Sequence, residues 1–216
     1  MFRQPAPTLN RHRQQGASSM VTASDLELVA GRECGACNVC CVVLTINDPA
    51  LQKLQGYRCR NATADNGCAI YETRPQTCRS FYCAWRHLKW IREPLRPDTS
   101  GVLFRLHYDK PDAAGQRRLG VMVTLLTNAA LKAEGLAETV AAAVAAELPV
   151  FIHVPGPPGH TASTAKLNDA LRDAVLTRNK PAVLEVLRVA RARGRKGDHK
   201  AIVLGRPTVG EAAGQE

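Results

Sequence analysis

The chain has 216 residues, of which 45% are apolar and 5% aromatic, and a formal charge of +10. That length allows one substantial core with a satellite module but not two full-sized domains. No apolar stretch approaches the ~20 residues that span a bilayer, so no membrane partner is expected, and the basic excess permits an acidic partner such as nucleic acid without requiring one.

Residues 1–24 carry Arg3, Arg11 and Arg13 without an acid, interrupted by Pro5, Pro7 and Gly16. They lack the continuous apolar core of a secretory signal and read as a disordered basic extension, with Met20 as an alternative start and a targeting leader as the weaker reading. Thiols are therefore expected to stay reduced, in a cytoplasmic protein.

A cysteine-rich module is predicted over residues 25–97. "DLELVA", Asp25–Ala30, forms a short helical or extended lead-in to "GRECGACNVCC", a loop whose curvature Gly31 and Gly35 permit. Val42–Ile46 reads as a short strand. Asp48 and Pro49 then read as the N-cap and first residue of a helix that runs to about Gln55 and stops at Gly56. Tyr57–Gly67 is turn-rich, with Asn66-Gly67 the strongest turn signal, and delivers Cys59 and Cys68. Pro75 and Pro94 bracket a predicted helix with Trp85, Leu88 and Ile91 on one face, packed over the cysteines.

Residues 98–194 read as an α+β half packed on this module. Val102–Tyr108 and Leu119–Leu125 alternate apolar and polar residues and predict a hairpin across "DKPDAAGQRR". A helix follows, with Leu136, Val140 and Val144 in one stripe and Pro149 at its end. "VFIHV" predicts a third strand. Beyond the "PGPPGH" loop come two helices, striped by Leu167, Leu171 and Val175 and by Val183, Leu187 and Ala190, with Gly194 as a C-terminal cap. Residues 195–216 read as a loose basic tail apart from the apolar "AIVL". The predicted class is α+β: short helices around a metal site, then a hairpin and small sheet covered by helices.

All eight cysteines, Cys34, Cys37, Cys40, Cys41, Cys59, Cys68, Cys78 and Cys83, fall inside the module. Two residues between Cys34 and Cys37, and between Cys37 and Cys40, allow turns that return three sulfurs to one point, as in the first three ligands of a ferredoxin run. The pattern then departs from a ferredoxin, because Cys41 follows at once and no Cys-Pro appears. Neighbouring residues project in different directions, so Cys41 is expected to serve another centre or a supporting role. The remaining ligands must come from Cys59, Cys68, Cys78 and Cys83. Eight thiols suit two four-thiolate zinc sites, or one iron–sulfur cluster with structural cysteines left over. Ordinary buried cysteines are the alternative, disfavoured by their confinement.

"CGACNVCC" at Cys34–Cys41, "GCAIYETRPQTCRSFYCAW" at Gly67–Trp85 and Cys59 between them resemble the YkgJ-like CxxCxxCC cysteine-cluster family of zinc- or iron-chelating proteins; "LRPDTSGVLF" at Leu95–Phe104 is also similar. The resemblance fades after about Leu126. It implies a bound zinc ion or iron–sulfur cluster, with no assigned biochemical role for most members. A related cluster in a flagellin lysine methylase implies, as an alternative, a cluster-supported protein-modifying enzyme acting on a protein partner. The methylase is far larger, and no separate methyl-donor motif is visible here.

Arg74 and Arg79 flank Cys78 and are candidates to stabilise thiolates by charge and hydrogen bonding; knitting the loop together is the competing reading. His87 lies four residues after Cys83 and would share its face on a continuous helix, although simple packing accounts for it too. His160, in the Pro/Gly loop, is a weaker candidate ligand. "PGPPGH" lacks the GK[ST] ending of a phosphate loop, and no hydrolase signature occurs. The basic run Arg188, Arg191, Arg193, Arg195, Lys196 and Lys200 suits a helix end, or a zinc-stabilised nucleic-acid binder, but has no aromatic neighbours for base stacking.

Overall fold

In a computed structural model, residues 26–205 are described. The basic extension with Met20 and residues 206–216 of the tail lie outside them. The fold is α+β: a two-stranded hairpin and a four-stranded sheet, packed by helices. Among the described residues no helix is long and apolar enough to cross a membrane.

The cysteine-rich part consists of short elements joined by turns. Residues 26–39 contain no helix or strand. The helical turn α1, Cys40–Val43, replaces the first half of the expected Val42–Ile46 strand. Strands β1, Ile46–Asp48, and β2, Leu51–Lys53, then pair antiparallel. The predicted Pro49–Gln55 helix is therefore a hairpin. Asp48 does accept the Ala50 N–H at 3.0 Å, but as a turn residue rather than a helix cap. Period-2 burial decides the matter: Ile46, Asp48, Leu51 and Lys53 point inward while Asn47 and Gln52 face outward.

The predicted Pro75–Pro94 helix is broken into α2, Gln76–Ser80, and α3, Ala84–His87, with a 3-10 turn at Glu93–Leu95. Cys83 is extended (φ −68°, ψ 157°) between them. Buried Arg32 gives the physical reason that α3 does not continue toward Pro94, because it takes carbonyls that a longer helix would use. Its guanidinium donates to the carbonyls of Trp85 (2.6 Å), Leu88 (3.2 Å) and Ile91 (2.6 Å) and pairs with Glu93 at 2.9 Å.

After the turn α4, Pro97–Ser100, come strands β3, Val102–Tyr108, and β4, Leu119–Leu125, paired as the alternation predicts, from Val102↔Leu125 to Tyr108↔Leu119. A crossover through α5, Leu136–Ala145, leads to β5, Val150–Val154, parallel to β4. The edge strand β6, Ser163–Lys166, antiparallel to β5, was not expected, since "STAK" is short and mostly exposed. The sheet order is β3-β4-β5-β6. Helices α6, Asn168–Leu176, and α7, Lys180–Arg195, carry the predicted stripes.

One face of the sheet forms the main core: Val102 and Phe104, Val121, Val123 and Leu125, Val150, Ile152 and Val154 meet Leu136, Val140, Leu171, Val183 and Leu187. Trp85, Ile91 and Leu95 enter the same core from the cysteine-rich side. Gly194 lies within α7 rather than capping it, and a Cβ there would come within 2.6 Å of Val154, so the helix backbone touches the sheet. Residues 199–202, read from sequence as tail, are tied to the Pro/Gly loop: Thr161 N–H donates to the Lys200 carbonyl at 2.7 Å and Ile202 N–H to that of Gly159 at 2.8 Å.

Candidate metal centre

The ligand loop is built from consecutive turns. Cys37 N–H donates to the Cys34 carbonyl at 2.8 Å, and Cys41 N–H to that of Asn38 at 2.9 Å. Gly31 (φ +78°) and Gly35 (φ +51°) supply left-handed backbone, as their position in the sequence suggests. Arg96 fastens the loop from the far side of the module, donating to the Cys34 carbonyl at 2.9 Å while pairing with Asp98 at 2.9 Å.

All eight cysteines are free thiols, and they sort into two neighbourhoods. In the first, Cys34, Cys37 and Cys83 act on one another electrostatically, and Cys40 feels the charges of Cys37 and Cys34. Cys83 stands immediately before α3, where the N–H groups of Arg86 and Trp85 favour its thiolate. Its burial against the main core pushes the thiol up to about 11. Burial likewise raises Cys37, while the N–H of Val39 offsets part of the rise.

The second neighbourhood is a small core of Ile46, Leu51 and Cys59, with Cys41 and Cys78 packed on it. Cys59 N–H donates to the Cys41 carbonyl at 2.8 Å, and the Cys59 carbonyl receives Ala62 N–H at 3.0 Å. Ala62 in turn pairs with Cys68 in an isolated antiparallel bridge, which brings the Cys68 backbone beside the Cys59 turn. Burial, then the charges of Cys41 and Cys59, raise Cys78.

Cys40 and Cys41 are adjacent in α1, and their thiols act on each other. That interaction, with burial adding to it, raises Cys40 and favours the thiolate at Cys41. Lys53, Arg74 and Arg58 also favour the Cys41 thiolate. Among the described residues, no three or more His, Cys, Asp or Glu side chains close into a group that could hold a metal ion. The thiols share neighbourhoods without forming a finished coordination shell.

Lys53 is the residue that sequence reasoning missed. It is buried, and its ammonium donates to the carbonyls of Val42 (3.1 Å), Leu54 (3.1 Å) and Tyr57 (3.0 Å). Burial lowers its pKa, opposed by the thiolate charges of Cys59, Cys41, Cys40 and Cys78. Only the hairpin reading could have found it, since a lysine on the inward face of a strand needs anions or carbonyls as company. Arg74 stacks on Tyr71 at 3.7 Å and donates to the Tyr71 carbonyl at 2.8 Å, so it both knits the loop and acts on Cys41 and Cys78. Arg79 donates to Gln76 within its own helix at 3.1 Å.

His87 packs edge-on against Tyr82, with ring centroids 5.9 Å apart, and burial lowers its pKa, opposed by the backbone of Glu27 and Leu26. Its buried Nδ1 has no hydrogen-bond partner among the described residues. His160 sits in the Pro/Gly loop with Nδ1 3.0 Å from the Pro158 carbonyl and its backbone bridged to Ala201. The basic run on α7 is divided: Glu185 engages Arg188, while Arg191 turns inward to the Leu125 carbonyl at 3.1 Å. Compared with family models, with curated proteins and with solved structures, the chain matches none.

Proposed function

We propose that this is a cytoplasmic metal-binding protein whose cysteine-rich part coordinates zinc or an iron–sulfur cluster, in keeping with its resemblance to the CxxCxxCC cysteine-cluster family. The observation that carries the reading is the division of the thiols. All eight thiols are free and lie within residues 34–83, where Cys34 and Cys37 act electrostatically on Cys83 and where Cys41 and Cys78 pack on Cys59; we take the first set, with Cys40, and the second, with Cys68, as the candidate ligand groups. Four soft thiolates per group suit either kind of centre. Zinc would cross-link the loops, and a cluster would add one-electron redox capacity.

The chain's own residues do the supporting work. The N–H groups of Val39, Trp85 and Arg86 favour thiolates in the first group. Lys53, Arg58 and Arg74 lower the electrostatic cost of placing anionic sulfurs around Cys41 in the second. Anaerobic purification followed by metal and acid-labile sulfide analysis, with an absorption spectrum, tests the proposal. Zinc without sulfide selects structural zinc, and iron with sulfide and visible absorbance selects a cluster. A folded protein with neither sinks the reading.

A further inference from the structure

We propose that the cleft between α1 and the carboxyl ends of β4 and β5 binds a small organic oxyanion with an apolar body, either a carboxylate or a phosphate monoester. No thiol lines this cleft, although its wall α1 also carries Cys40 and Cys41.

The cleft has a volume of about 390 Å³, within the range of small-molecule sites. Val39, Val42 and Val43 line one wall, and Leu125, Leu126, Val154 and Pro155 the other. Strands β4 and β5 are the parallel pair of the sheet. Their carboxyl ends are where the connecting segments leave a crevice in sheets of this kind. The polar groups at the cleft are Asn38, Arg191 and Arg195, and no acid lines it.

Arg191 and Arg195 are one turn apart on α7, on the same face of the helix. Among the described residues neither forms an ion pair. Arg191 is half-buried and held by its Nε–H to the Leu125 carbonyl (3.1 Å) and by a second N–H to the Asn128 side chain. Burial, and then the charge of Arg195, draw it below the usual arginine range. Cations in the last turn of a helix answer its dipole. The dipole does not explain why a half-buried guanidinium shares its helix face with a second cation and has no acid beside it in the cleft. An oxyanion bridging the two would relieve the repulsion and accept charge-assisted hydrogen bonds, while its apolar body covered the valines. The larger cleft beside β6, about 510 Å³, lacks this imbalance because Glu185 lines it together with Lys166 and Arg193.

Calorimetric titration of the full-length, metal-replete protein with phenyl phosphate, benzoate, inorganic phosphate and benzyl alcohol tests the site. Phenyl phosphate or benzoate should bind, the tighter of the two identifying the head group, and benzyl alcohol should not. Arg195 is exposed and free of hydrogen bonds among the described residues, so Arg195→Gln should leave the fold intact and weaken binding about ten- to hundredfold. Leu126→Trp keeps both cations, fills the cleft and should abolish binding. The proposal falls if neither organic anion binds, if benzyl alcohol or inorganic phosphate binds as tightly as they do, or if Arg195→Gln leaves the affinity unchanged.

Discussion

Between residues 31 and 83 the inward-facing apolar cluster is built on Ile46, Leu51 and Cys59, whereas the sheet and its helices bury a continuous core around Phe104, Val123, Ile152, Leu171 and Leu187. The first region is held by polar ties instead: Arg32 on five partners, Lys53 on three carbonyls, Asp48 on Ala50 and Thr77, Arg96 on Cys34. Helical turns and strands of three to five residues do not persist alone, because nucleation and loop closure cost more than one turn returns. The contrast shows where cross-links matter. The sheet half carries the main core, to which Trp85, Ile91 and Leu95 also contribute, and the cysteine half is the part that joining its thiols would strengthen most.

On the proposed zinc reading, removing the metal should expose this difference most strongly. A structural zinc site of four thiolates contributes on the order of 10 kcal/mol. After chelation, amide exchange across residues 34–80 should lose its protection while β3, β4 and β5 keep theirs. Equal loss in both halves, or none in either, would end the comparison.

A matched pair of substitutions sharpens it. Phe104 is fully buried, so Phe104→Ala should lower stability by about 3–5 kcal/mol in denaturant titrations and loosen the sheet as a whole. Arg32→Ala should take about 2–4 kcal/mol by stranding the carbonyls of Trp85, Leu88 and Ile91. Its effect on exchange should stay within residues 26–36 and 84–95. Spread of the Arg32 effect through β4 and β5 would show that the halves are coupled.

The effect that is smallest at neutral pH is a pH dependence confined to the sheet. His153, on the face opposite the main core, is lowered to about 3, by burial first and then by Arg105 and His107. Above its unfolded value of about 6.5 the imidazole is neutral in both states and contributes nothing. Below that, the unfolded chain takes up a proton that the folded one refuses, so stability falls by up to about 1.4 kcal/mol per pH unit, until the folded group titrates near 3. His153→Gln should flatten this slope between pH 6.5 and 4.5, read from amide exchange in β5. An unchanged slope would refute the assignment.

Much of the sheet half was legible because its signals are periodic. Val102, Phe104 and Leu106 alternate, and Val183, Leu187 and Ala190 recur at helical spacing, so a single burial direction explains each pattern. The cysteine half offered less. Asp48-Pro49 serves a helix start and a hairpin turn equally well, and the segment from Pro75 to Pro94 has helical spacing that Arg32, more than forty positions away, interrupts. "STAK" became a strand only because β5 needed a partner on its free edge. Gly194 reads as a cap until the approach of Val154 is known.

The sequence alone determined that eight thiols would lie in one stretch of chain and that the loop carrying Cys34 and Cys37 would curve through glycine-permitted turns. These follow from spacing and local backbone geometry, which need no distant partner. The tertiary structure decided the rest: that Cys41 and Cys78 pack on Cys59 in a small core of their own, that a buried lysine sits near them, and that two arginines face an apolar cleft. Those outcomes depend on which segments pack together, and packing is settled by burial over the whole chain rather than by any one stretch of it.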